Sequence, residues 1–212
     1  MYRNTFLSVM FLACCFNGSL CAQSDAQIYE RTCDAKTYPF SDPSPVATPN
    51  NSYYPYFRFD GFSMQAQEKQ WKMVVLENDY VKLTVTPEIG GKIWGAIDKV
   101  NNKEFVYTNG VVKFRDVAMR GPWTSGGIEF NFGIIGHAPT CSTPIDYLTK
   151  KNVDGSVSCH IFSYEWITRT VWNVEINLPK DKAYFTTHTT WFNQSSIDQP
   201  YYQWMNAGYA TK

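Results

Sequence analysis

The sequence predicts an all-β protein, an antiparallel sandwich or barrel. Three observations carry the prediction. Several segments alternate apolar and polar residues with period two, the pattern of half-buried strands. Clusters of turn-forming residues separate those segments. No convincing amphipathic helix follows the N-terminal segment. Many short strands joined by turns are best satisfied by layered or closed antiparallel sheets.

Taken in order, residues 1–4 carry one cation, Arg3, residues 5–16 are an apolar run, and residues 17–22 are short and mostly small. This is the layout of a secretory signal peptide, with the cut expected after Ala22. The apolar run is too short to span a bilayer as a permanent helix, so no membrane span is expected. Phe11-Leu12-Ala13-Cys14 is a partial lipobox with Phe where Leu is usual, which makes a lipoprotein the second choice. Residues 23–62 begin with a stretch that holds Pro39, Pro43, Pro45, Pro49 and Pro55 among Ser, Asn and Asp, and are expected to form a Pro-rich arm. The aromatic run YYPYFRFDGF at 53–62 should pack on something. Residues 63–212 form the sandwich domain.

Within it, YVKLTVT at 80–86 puts Val81, Leu83 and Val85 on one face and Lys82, Thr84 and Thr86 on the other. Residues 92–98 and 104–107 flank a turn at 99–103, where Asn tolerates positive φ. Asp154-Gly155 is a stronger hairpin signal, between 145–148 and 156–166. Alternation returns at 168–178. AYFTTHTTWF at 183–192 is rich in Thr and aromatics, and 201–209 reads as one more strand.

Equal numbers of basic and acidic residues, 19 each, and no run of Lys or Arg exclude an electrostatic nucleic-acid binder. The three histidines share no metal-ligand spacing and no Cys-x-x-Cys is present, so no metal and no cofactor are expected. Removal of the signal leaves Cys33, Cys141 and Cys159. Pairing of Cys141 with Cys159 and three unpaired thiols are equally acceptable in an oxidising compartment.

The chemistry concentrates in SGGIEFNFGIIGHAP at 125–139, preceded by Arg120-Gly-Pro-Trp123. A cation, an indole, a glycine pair, a carboxylate, an amide and an imidazole follow one another. Sugars are bound by flat rings against their C–H faces and by planar polar groups bridging hydroxyls. Arg120, Trp123, Glu129, Asn131 and His137 supply those types as candidate substrate-binding residues. Alternation puts Ile128, Phe130 and Phe132 on a core face, with Glu129 and Asn131 on the other, where they could line a cleft or simply face water.

These motifs resemble galactose-mutarotase-like proteins. They are most similar to uncharacterised bacterial mutarotase-like domains often fused to tetratricopeptide repeats. The likeness rests on GGIEFN at 126–131, HAPT at 137–140 and PIDY at 144–147, with PEIGGKIW at 87–94 upstream and NVDG at 152–155 and WMN at 204–206 downstream. It spans roughly residues 71–212. The resemblance implies an antiparallel β-supersandwich with a sugar cleft on one face, a neutral saccharide partner, and a tetratricopeptide-repeat region in a longer parent chain. It also implies that the domain runs on past Lys212 and carries its general-base carboxylate there, so that residues 63–212 make up an incomplete sandwich. His137 matches the family-type histidine and is the first catalytic candidate, with Glu129 the second. The chain departs from the pattern at Gly136 and Ala138, where many relatives carry a second histidine and an arginine.

Three functions fit. The first is an exported, periplasmic or extracellular, carbohydrate-active domain, aldose-epimerase-like or glycoside-hydrolase-like in the longer chain. The second is a glycan-binding or scaffold module without chemistry. The third is a structural β-domain that meets a partner protein. An enzyme needs a second titratable group facing His137. Glu88, Glu165 and Glu175 are the candidates, and nothing in the sequence aims any of them.

Overall fold

The computed structural model describes residues 24–41, 43–44, 56–57, 61–116, 122–133, 136–165 and 168–211. The signal-peptide reading and Arg120 therefore lie outside the described residues.

The strands in chain order are β1 (Gln27–Tyr38), β2 (Pro43–Ser44), β3 (Tyr56–Phe57), β4 (Gln67–Glu77), β5 (Val81–Thr86), β6 (Lys92–Asp98), β7 (Lys103–Val106) and β8 (Val112–Lys113). They continue with β9 (Arg115–Asp116), β10 (Pro122–Trp123), β11 (Ile128–Phe132), β12 (Asp146–Lys151), β13 (Val157–Glu165), β14 (Thr170–Leu178), β15 (Thr186–Asn193) and β16 (Gln203–Ala207). Among the described residues one 3-10 turn, Pro139–Ser142, interrupts them. The expected all-β, antiparallel sandwich is the architecture the chain adopts.

An eight-stranded sheet runs β16-β11-β6-β5-β4-β1-β8, with β7 also paired to β6, and a four-stranded sheet runs β12-β13-β14-β15. Pairing is antiparallel throughout both sheets except between β1 and β8. The predicted turns sit where the chemistry asked for them. Asn102 takes φ 51° between β6 and β7, and Gly155 takes φ 82° between β12 and β13.

Alternation explains the core. Val74 and Leu76 of β4, Leu83 and Val85 of β5, Phe130 and Phe132 of β11, and Cys159, Ile161, Trp172 and Val174 of the smaller sheet pack into one cluster between the sheets. Phe132 stacks on Trp172 with centroids 4.4 Å apart, so one ring pair joins the two layers. Buried Asn78 adds a polar tie. Its Nδ2 donates to the carbonyls of Pro179 and Lys182, and its Oδ1 accepts from the amides of Tyr80 and Val81. The opposite face of the large sheet carries a second cluster, with Trp71 and Met73 of β4, Trp94 of β6 and Phe114. A register shift makes this two-sidedness work in β6. Thr84 pairs with Gly95 but Val85 pairs with Ile93, so Trp94 is the extra residue. Ile93 and Ala96 can then both face the inter-sheet core while Trp94 faces away.

One expectation changes, and one open choice is decided. The Pro-rich arm starts as a strand, because Gln27–Tyr38 pairs with β4 along eleven residues. Its alternate positions are mostly exposed or half-buried, so no apolar period marks it. Cys141 and Cys159 are free thiols, as is Cys33. Cys159 faces the core between the sheets, whereas Cys141 lies in the 3-10 turn with its thiol near the Pro122 carbonyl.

Candidate functional site

The glycine pair opens the site. Gly126 and Gly127 take φ 76° and 66°, the left-handed region that glycine enters without a Cβ penalty. A Cβ on Gly127 would overlap the Ile93 carbonyl oxygen, so β11 can approach β6 this closely only with glycine there. The turn delivers β11 antiparallel to β6, with Ile128 opposite Ile93. Continuing that register places Glu129 across from Lys92. Along its other edge β11 pairs with β16, Glu129 opposite Asn206 and Asn131 opposite Trp204.

Ile128, Phe130 and Phe132 go to the inter-sheet core, as alternation requires. Glu129 and Asn131 point to the other face, but they line no open cleft. Their residues are only 1% and 0% exposed. Four polar side chains close on one another instead. Asn131 Nδ2 donates to Glu129 Oε1 at 2.9 Å. His137 Nδ1 meets the same oxygen at 2.6 Å. Asn131 Oδ1 accepts from the Ala138 amide at 2.8 Å, which fixes both the amide orientation and the segment bearing His137. Lys92, 1% exposed, brings Nζ to 3.9 Å from Glu129 Oε2.

The Lys92 ammonium has further partners. It donates to the Thr124 carbonyl, and to Thr124 Oγ1 at 3.2 Å. It also lies 5.8 Å from the Trp123 ring centroid. Burial holds its pKa below the usual lysine value, and Glu129, then Cys141, oppose that pull. Burial, reinforced by the Glu129 charge, pushes the neighbouring Cys141 thiol up to about 12, so it stays protonated at neutral pH.

His137 is the outermost member, its side chain 15% exposed. It sits edge-on to two indoles, Trp123 at 5.9 Å and Trp204 at 4.9 Å between centroids. Trp204 Nε1 donates to the Gly136 carbonyl at 3.0 Å and so holds the turn before the imidazole. Within this site two buried atoms have no hydrogen-bond partner among the described residues, the acceptor Glu129 Oε2 and the donor Trp123 Nε1.

Four of the five sequence-predicted residues thus meet, namely Trp123, Glu129, Asn131 and His137. Arg120, the fifth, lies outside the described residues. The three carboxylates considered as partners for His137 are engaged elsewhere. Glu88 accepts from the Lys72 amide at 2.5 Å. Glu165 accepts from the amide and hydroxyl of Thr168. Glu175 accepts from Ser158 and approaches His160 at 3.7 Å. Lys92, Thr124 and Trp204 join the site without having been expected there. A signal for Lys92 existed, since it is a lone cation in the apolar run GGKIW, on the face opposite Ile93. Among the described residues, no group of three or more His, Cys, Asp or Glu could hold a metal ion. No helix among them is long and apolar enough to cross a membrane.

Residues 48–212 match the family described as a domain of unknown function, DUF5107. The chain is also similar to a solved structure, a TPR-domain containing protein from Parabacteroides distasonis, at 26% identity and a TM-score of 0.78. The match covers 87% of this chain and 32% of that one, so this chain spans about a third of the length of the protein it resembles.

Proposed function

The chain belongs to the DUF5107 family, and on that premise we propose that it is a saccharide-recognising β-sandwich domain of an exported protein, with His137 as the group that meets the sugar. One observation carries the reading. An imidazole stands at the surface between two indoles, pinned through Nδ1 by a buried carboxylate, and its Nε2 has no protein partner among the described residues. Pinned and flanked in this way, the ring offers a hydroxyl group one preorganised acceptor beside apolar ring surface.

Recognition is favoured over anomer interconversion because ring opening needs a second titratable group across the sugar from His137. Glu129 lies behind the imidazole instead and orients it. An aldose-epimerase-like activity and a tetratricopeptide-repeat region belong, in this proposal, to a longer parent chain. The solved relative, a TPR-domain containing protein, is compatible with that arrangement.

Titration with a panel of neutral mono- and oligosaccharides tests the proposal. Binding is expected near the millimolar range, about −4 kcal/mol, and is expected to be lost in Trp123→Ala and His137→Ala. A folded wild type that binds nothing, or binding indifferent to both changes, refutes it. Export is tested separately by the N-terminus of the mature chain. Gln23 is expected, and a lipidated Cys14 would replace the secreted form by the anchored one.

A further inference from the structure

Lys92 is buried in the strand next to Glu129 and does not reach the surface. We infer that Lys92 is a positioning residue: its ammonium supplies the positive charge that Glu129 would otherwise draw from His137, so the imidazole stays neutral and presents Nε2 as an acceptor. The ligand-facing half of this inference rests on the saccharide reading. The charge arrangement behind it does not.

Three features of the geometry lead there. First, Glu129 lies between two groups that can each carry a positive charge. Oε2 faces Lys92 Nζ at 3.9 Å and Oε1 faces His137 Nδ1 at 2.6 Å. One buried carboxylate balances one cation, and a second would be left uncompensated. Second, Lys92 is the better-housed cation. Its ammonium finds the Thr124 carbonyl, the Thr124 hydroxyl, the carboxylate and the face of Trp123. His137 meets one carboxylate oxygen and lies T-shaped against two indoles. Third, Oε1 already accepts from Asn131, and a carboxylate oxygen only accepts. A neutral His137 must then carry its proton on Nδ1, which leaves the lone pair on Nε2.

The groups around the Glu129–His137 pair agree with this. β6 contributes Lys92, β11 contributes Glu129 and neutral Asn131, and β10 and β16 contribute indoles. The 3-10 turn contributes Cys141, whose thiol stays protonated at neutral pH. Among these described residues, Lys92 is the one competing cation.

The experiment reads the imidazole nitrogens of His137 by 15N NMR across pH, without sugar, in the wild type and in Lys92→Met. The wild type is expected to show a neutral ring at pH 7 with the proton on Nδ1. In Lys92→Met the Glu129–His137 pair should take up a proton at a pH higher by about one unit or more, because a like charge has been removed beside it. Equal midpoints in the two proteins overturn the inference. If Lys92→Met fails to fold, the wild type alone decides, since a neutral ring protonated on Nε2, or a charged ring at pH 7, overturns it equally. A wild type with the Nδ1 proton that binds no saccharide counts against the saccharide reading and supports the charge arrangement.

Discussion

Glu129→Gln is expected to destabilise the fold far more than its near-identical shape suggests, because it strips a buried ammonium of its counter-charge. Lys92 and Glu129 are each 1% exposed, and their charged atoms stand 3.9 Å apart. At an effective dielectric of about 20 that separation corresponds to about 4 kcal/mol of attraction. Breaking a buried pair from one side typically costs about 3–5 kcal/mol, since the survivor stays in the low-dielectric interior without compensation. Lys92→Met should cost less from the other side, because the Glu129–His137 pair can take up a proton and restore a positive charge beside the carboxylate. The double variant leaves neither charge, so its cost should fall short of the sum by about 2–4 kcal/mol. Urea unfolding of the four proteins, with a common m-value, measures the cycle. Additivity to within about 0.5 kcal/mol would show that the two charges do not interact and would refute the cluster of Lys92, Glu129, Asn131 and His137.

Gly127→Ala combines a left-handed φ of 66° with a collision against the Ile93 carbonyl, and should lower stability by about 2 kcal/mol or more; Gly110→Ala, whose Cβ would meet nothing within 4 Å, should leave the melting temperature unchanged or slightly higher. Trp172→Ala removes one half of the Phe132 stack between the two sheets and should cost about 3–5 kcal/mol by denaturant titration; a loss below about 1 kcal/mol would mean that the layers are held together elsewhere. Burial raises the thiols of Cys141 and Cys159 from 9.0 to about 12. The unfolded chain therefore releases those protons first, and the stabilisation present below pH 9 should be lost between pH 9 and 12, on the order of 4 kcal/mol per thiol. Lys92, held low by burial, acts in the opposite direction as pH rises towards 10.5. The comparison that isolates the thiols is wild type against Cys141→Ala/Cys159→Ala, and parallel pH profiles for the two proteins would refute the assignment.

Period-two alternation was enough to place Glu129 and Asn131 on one face of β11 and Phe130 and Phe132 on the other, because side-chain direction along a strand is a local property. Turn chemistry likewise marked Asn102 and Gly155. β1 carries no apolar period, because only its far end is well buried. It is a strand because β4 supplies hydrogen-bond partners along its length. Spacing alone does not pair the cysteines; the fold separates Cys141 from Cys159, one thiol packed near Pro122 and the other facing the inter-sheet core.

The fold class, the hairpin turns and the residue types gathered in SGGIEFNFGIIGHAP are legible in the sequence alone. Local stereochemistry and the hydrophobic period specify all of these. What those residues meet is settled by the packing of distant strands. Strand pairing places Lys92 across from Glu129 and Trp204 across from Asn131, from 37 and 73 positions away in the chain. Register is set by two strands together, and no window of either strand contains it. Pairing therefore turned an apparent open cleft into a buried lysine–glutamate pair with a single histidine at its mouth.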